Sequence, residues 1–292
     1  MMTARLATLT RPMRSRQAGF TLIELMVASV VFVAVLGVLL TFLGRDERAR
    51  EVTYYVAESR QSARSALEFM VSEIRMAGSG ISVPVVTSLD SGDSLILYPV
   101  TPDTICGRPE KVTILGQFEG VETTVSNKMP NASSVTDVES TDGFVEGDLV
   151  VITNGSFANL FEVTQVVTGS EKLQHNPTSP FNQPGGHKPW PPGGYDIGSR
   201  VFKVGLVSYY VDRQDTTCPS IMRQEGTQDP RIVSEYIKAL EIEYELGDGS
   251  VATMPSDPSL IRRVIVTIEA ASNEPTKQHV TRLKSAAKPR CL

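Results

Sequence analysis

The run over residues 20–43 constrains this chain more than any other stretch. Its only charge is Glu24, and between residues 25 and 43 only Ser29 and Thr41 carry polar side chains. About 20 apolar residues are long enough to cross a bilayer. In lipid every backbone group must be satisfied within the protein, so a lone span of this kind is a helix. A carboxylate inside such a helix costs about 2.5–3.5 kcal/mol on insertion scales and marks a functional position. Arg5, Arg11, Arg14 and Arg16 precede the run with no acid among them, and the charged GRDERAR follows it directly. Basic residues on the N-terminal side hold that side in the cytoplasm and export the chain beyond Leu43. A secretory signal would have a shorter apolar core and a small-residue cleavage site after it.

At the head of the run stands Gly19-Phe20-Thr21-Leu22-Ile23-Glu24-Leu25-Met26-Val27. A basic leader, then GFTLIEL, then an apolar run in register resembles the leader junction of type IV pilins and type II secretion pseudopilins. The resemblance implies that a prepilin peptidase cuts between Gly19 and Phe20 on the cytoplasmic side, and that Phe20 becomes N-methylated. It also suggests a use for Glu24. A buried charge needs a partner or must neutralise. The methylated amine of Phe20 stays cationic, so Glu24 of one subunit is expected to pair with the terminal amine of its neighbour. Such a contact exists only in an assembly, where it sets register as well as carrying a cost.

The helix is expected to run on. No proline occurs from Phe20 to Gly78. Val52, Val56, Ser59, Ala63, Ala66, Met70 and Ile74 recur at spacings of three and four, which makes one helical stripe. Arg50, Glu58, Arg60, Arg64, Glu68, Glu73 and Arg75 are assigned to the opposite face. Gly78 and Gly80 read as stop signals. One helix over 20–77 would be roughly 85 Å long at 1.5 Å per residue. Gly37 and Gly44, each about 1 kcal/mol worse than alanine in a helix, are expected to mark bends.

After residue 82 the texture becomes β. Expected strands are 94–100, 111–115, 148–153, 160–167, 201–211, 220–223, 237–246 and 260–270, each short, rich in Val, Ile and Tyr, and bounded by turn residues. In IKALEIEYEL, Ile237, Ala239 or Leu240, Ile242, Tyr244 and Leu246 alternate with charges, the pattern of a half-buried antiparallel strand. The fold class is therefore α+β: a cleaved leader over 1–19, a long helix over 20–78 that spans the membrane over 20–43, and a body over 79–292 with an antiparallel sheet on which the helix packs. The Pro/Gly-rich segment 176–198 holds the only tryptophan, Trp190. Of a contact loop and an insertion plugged by Trp190, the second is expected. The acidic series Asp137, Glu139, Asp142, Glu146 and Asp148 lacks an EF-hand pattern and reads as a solvated loop rather than a calcium site. Asp248-Gly249 is a hairpin signal.

Catalysis is not expected. His175, His187 and His279 show no metal-ligand spacing, and GxSxG, P-loop and HExxH patterns are missing. The residues imply no cofactor. The formal net charge is −5, and losing the leader's arginines makes the rest more acidic still. Broad nucleic-acid binding is therefore not expected; the basic tail Lys277, Arg282, Lys284, Lys288 and Arg290 reads as a solvated terminus. Three cysteines without a CxxC give no zinc signal.

The body carries a second resemblance. ARSALEFMVSEIRMAGSGIS at 63–82, GDLVVITNGSFANLFEVTQV at 147–166, a later YYV hairpin and the LIRRVIVTIEA strand are similar to PilW-type minor pilins; the J-type minor pseudopilin of type II secretion, which has a related plan, and a DNA-uptake pilin are the alternatives. The 292 residues exceed a typical major pilin. The resemblance implies a minor pilin that primes assembly at or near the pilus tip. Its partners would be the prepilin peptidase, other minor and major pilins, inner-membrane lipid and a pilus-tip adhesin. It would stand in the inner membrane before assembly and on the cell surface after it. An exported body meets an oxidising compartment. There Cys106 and Cys218, both in turn-rich segments near strand ends, are the expected pair, with Cys291 left over.

Overall fold

The computed structural model describes residues 19–88, 94–131, 133–182, 190–272 and 279–290. The leader arginines, His187, Lys277 and Cys291 lie outside them. The chain divides into two compact units after Thr53.

One helix, α1 (Leu22–Met76), belongs partly to each unit. It runs without a break through Gly37 and Gly44, so neither glycine interrupts it. In the first unit none of its apolar span is buried. In the second unit it buries Ser59, Ala63, Ala66, Leu67, Met70, Val71, Ile74 and Ala77; Val52 and Val56, at the start of the expected stripe, are half-buried or less shielded. The helix stops where glycines take over: Gly78 and Gly80 adopt φ of 76° and 77°, a conformation side chains disfavour. The stop is also a docking point. Gly78 N–H donates to the Leu115 carbonyl at 2.8 Å, and a Cβ on Gly116 would lie 2.7 Å from the Met76 carbonyl oxygen.

The first strands are β1 (Val85–Ser88), β2 (Ser94–Leu97), β3 (Val100–Ile105) and β4 (Arg108–Gly116). Next come β5 (Glu122–Thr124), β6 (Val135–Asp137), β7 (Leu149–Thr153), β8 (Ala158–Glu162), β9 (Gln165–Val167) and β10 (Lys172–Gln174). The last group is β11 (Arg200–Asp212), β12 (Ser220–Glu225), β13 (Arg231–Ser234), β14 (Ile237–Leu246), β15 (Val251–Ala252), β16 (Ile261–Ala271) and β17 (Val280–Ala287). Strand β11 organises the main sheet. Its first half pairs with β7 and β5, and its second half with β4 and β12. Gly205 sits at the changeover because the Phe118 ring lies over it, 2.4 Å from where a Cβ would stand. A second sheet runs β15-β14-β16-β17, and a small third one β6-β10-β9. Pairing is antiparallel except between β1 and β8.

One hydrophobic core joins the helix stripe to both larger sheets, through Ile114, Val207, Tyr209 and Ile221 on one and Leu240, Ile242, Val264 and Ile268 on the other. Residues 117–199 are inserted between β4 and β11, which pair directly with each other, and they enclose their own core around Phe144, Ile152, Phe161, Leu173 and Tyr195. Trp190 packs edge-on against Tyr195 at 4.9 Å, as a plug would. Its loop at 183–189 lies outside the described residues.

Several expectations need correction. The span 160–167 is two strands, because the chain leaves the main sheet after Glu162 and enters the third at Gln165. A bulge at Lys238 shifts the β14 register, so Leu240 rather than Ala239 continues the buried set. The solvated basic tail is in part a strand: β17 pairs with β16 over its full length. Finally, Glu73 is not on the polar face. It is buried, and it accepts the Tyr209 hydroxyl at 2.6 Å and the Arg223 guanidinium at 2.9 Å. Arg223 also reaches Glu225 and lies over the Phe69 ring. Burial and the Glu73 carboxylate together push the Tyr209 phenol well above its ordinary range, so it remains a donor.

Breaking a buried pair by removing one partner leaves an uncompensated charge. Glu73→Ala should therefore cost about 3 kcal/mol or more. Tyr209→Phe removes one bond to a charged group and should cost about 1.5 kcal/mol. Denaturant unfolding of the detergent-solubilised chain checks both; a Glu73→Ala protein as stable as wild type would remove this network from the account of the fold.

Candidate processing and assembly site

Residues 19–21 lie outside the helix, and Gly19 and Phe20 are exposed. A Cβ added to Gly19 would meet nothing within 4 Å. Nothing within the described chain therefore requires glycine there. Thr21 is the N-cap of α1. Its backbone N–H and its hydroxyl both donate to Glu24 Oε2, each at 2.9 Å, and the Glu24 N–H donates back to Thr21 Oγ at 3.3 Å. This is a reciprocal capping box, which satisfies amides that the first helical turn leaves without partners. The signal was present in Thr-Leu-Ile-Glu at 21–24, a Thr-x-x-Glu before an apolar run. Sequence reasoning treated Glu24 as lacking any partner within its own subunit; its own cap supplies one. Among the described residues no donor meets Oε1. A carboxylate at a helix N-terminus is also favoured by the helix dipole.

The other candidates do not converge with this site or with one another. Among the described residues no group of three or more His, Cys, Asp or Glu side chains is placed to hold a metal. In the acidic series, Asp137 faces Lys172 at 3.3 Å and accepts from Asn127 Nδ2 at 3.2 Å. Asp148 takes Lys203 at 2.9 Å and the Val145 N–H at 2.8 Å, while Glu139, Asp142 and Glu146 are exposed. Burial alone would lower the Lys203 ammonium, but Glu119 and Asp148 more than offset it and hold Lys203 above its usual value. His175 is buried against the Phe161 ring and within 3.2 Å of the Thr136 hydroxyl. In the basic tail, Arg282 pairs with Glu241 at 2.5 Å and Lys284 with Glu243 at 3.1 Å. These exposed pairs form a cross-strand ladder on the second sheet.

Cys106 and Cys218 are free thiols, the first exposed and the second half-buried. They stand at the same end of the main sheet, on the β3–β4 and β11–β12 turns. The expected pair is therefore not formed in this structure.

Residues 14–40 match the family model described as the prokaryotic N-terminal methylation motif. No curated protein and no solved structure matches the chain. The matched stretch contains Gly19, Phe20, Thr21 and Glu24 together with most of the apolar run. It supports a type IV pilin-like protein, anchored by an N-terminal helix and processed by a prepilin peptidase.

Proposed function

We propose that this chain is a minor pilin of a type IV pilus, made with a leader that a prepilin peptidase removes between Gly19 and Phe20, and incorporated at or near the pilus tip to prime assembly. The observation that carries the processing step is the match of residues 14–40 to the N-terminal methylation motif, with Gly19 and Phe20 exposed directly ahead of a capped apolar helix. A structural role for the body is supported by its buried acids Glu73 and Asp148, which are held by Arg223 and Lys203. The minor-pilin reading is supported by the similarity of 63–82 and 147–166 to PilW-type proteins.

Cleavage creates a cationic amine on Phe20, one residue before the cap. In the membrane Glu24 then has two claims on it. Oε2 closes the cap of its own helix, and Oε1 is open to the N-methylated amine of a neighbouring subunit. Subunits added from below bring their Glu24-type carboxylates to amines already in place. A topmost subunit has no such predecessor and would leave a charge unpaired in lipid, at about 2.5–3.5 kcal/mol. Because the chain retains Glu24, it belongs below another pilin rather than at the apex.

Two measurements test this. Mass spectrometry of the mature chain should find N-methyl-Phe at position 20, and Gly19→Leu should leave the leader attached; a mature chain starting beyond residue 43 would contradict the reading. The two claims on Glu24 separate by substitution. Gln also serves at this capping position, so Glu24→Gln keeps the helix start yet removes the charge. It should be cleaved and inserted normally, while incorporation into pili falls at least tenfold. Thr21→Val, which weakens the cap by about 1 kcal/mol and keeps the carboxylate, should still be incorporated. Equal incorporation of Glu24→Gln and wild type would mean that the carboxylate serves the cap alone.

A further inference from the structure

Three asparagines in this chain are followed, two residues on, by a serine or threonine: Asn131, Asn154 and Asn176. In an exported protein that pattern is an acceptor for N-linked sugar, provided the middle residue is not proline and the segment lies on the surface. Pro177 breaks the pattern at Asn176, and residue 132, in the middle of the first, lies outside the described residues. Asn154-Gly155-Ser156 meets both conditions. Thr153 pairs with Ala158, so residues 154–157 are the whole tip of the β7–β8 hairpin. All four are exposed. Gly155 stands at φ of 87°, and a Cβ there would meet nothing within 4 Å, so the tip opens on to empty space.

The carboxamide of Asn154 is held by one end only. Its Oδ1 accepts the Ser156 N–H at 3.0 Å and the Phe157 N–H at 2.9 Å. These two donors fix which way the amide faces, because Nδ2 cannot accept from an N–H. Nδ2 is left without an acceptor among the described residues. Other asparagines spend that nitrogen inside the body. Asn127 donates through it to Asp137, Asn159 to the Val86 carbonyl, Asn176 to Gln174 and Asn182 to the Glu162 carbonyl. At Asn154 the turn therefore presents a positioned, uncommitted amide nitrogen, with the Ser156 hydroxyl in the same four-residue tip.

We propose that Asn154 is an N-glycosylation site, taking an oligosaccharide from a polyprenyl-diphosphate donor on the exported side of the membrane. In the transfer Asn154 Nδ2 attacks the anomeric carbon of the first sugar. A C–N bond forms, the bond from that carbon to the diphosphate oxygen breaks, Nδ2 loses one proton and the polyprenyl diphosphate leaves. Phe157, 47% exposed in the same tip, gives the attached sugar an apolar neighbour. The inference rests on the export of the body in the function proposed above, and on no other part of it.

Intact-mass and peptide mass spectrometry of the chain purified from its own cells tests it. The peptide carrying Asn154 should be heavier by whole sugar units. Asn154→Asp and Ser156→Ala should lose that mass, whereas Ser156→Thr should keep it. Asp retains the acceptor oxygen of the turn, and Ser156→Ala leaves Asn154 Oδ1 in place, so loss of the sugar in both would not report a broken hairpin. The same spectra read the N-terminus. A mature chain starting at Phe20 with Asn154 unmodified would overturn this proposal and leave the processing reading standing. A chain that keeps its leader yet carries the sugar would do the reverse. Sugar that persists in Asn154→Asp would also overturn the assignment.

Discussion

Everything in this protein depends on one helix that must satisfy two solvents. Over its first half α1 is apolar on all sides, which suits only lipid or a neighbouring protein. Over its second half it is apolar on one stripe, which suits the edge of a core. The backbone solution is the same in both places, since a helix closes its hydrogen bonds within itself. That is why the element can run unbroken for 55 residues while its surroundings change. The pair of glycines at its end lets the chain turn back at once and start the sheets against which the stripe is buried.

The two acids near the ends of this helix show how differently a carboxylate can be accommodated. Glu73 finds its partners inside the body, where Tyr209 and Arg223 surround it. It ties α1 to β11 and β12 and leaves nothing for an outside molecule. Glu24 is only half provided for. Its cap takes one oxygen and leaves the other with no donor among the described residues. A carboxylate in that state is costly in a lone subunit and useful in an assembly, because it is best satisfied when a cation from another chain arrives at a defined height. The first residue stabilises a fold; on the assembly reading proposed above, the second favours association.

The range of each interaction decided whether the amino-acid order revealed it or hid it. The span, the methylation motif and the stripe from Ser59 to Ile74 rest on spacings of a few residues and were legible. So were the β14 and β16 strands, whose alternation is strong. Glu73 falls on the stripe at the spacing Met70, Glu73, Ala77, but its burial depends on side chains 136 and 150 residues away, and its charge argued for the wrong face. Strand β17 was hidden because Thr281 to Ser285 alternates polar residues with a single leucine; it is held by a stronger neighbour, β16, and by the glutamates of β14. The insertion between β4 and β11 was also hidden, since nothing local says that residues 111 and 210 are partners. The capping box of Thr21 and Glu24 was different: it was legible and was overshadowed by the larger question of a charge in lipid.

The central claim is that Glu24 meets the terminal amine of another subunit. Site-specific photocrosslinking from position 24 in living cells, with peptide sequencing of the adduct, tests that claim most directly. The account predicts efficient capture of a second pilin at its N-methylated first residue, dependent on leader cleavage of that partner. Adducts confined to lipid or to the chain's own helix, in cells that make normal pili, would contradict it.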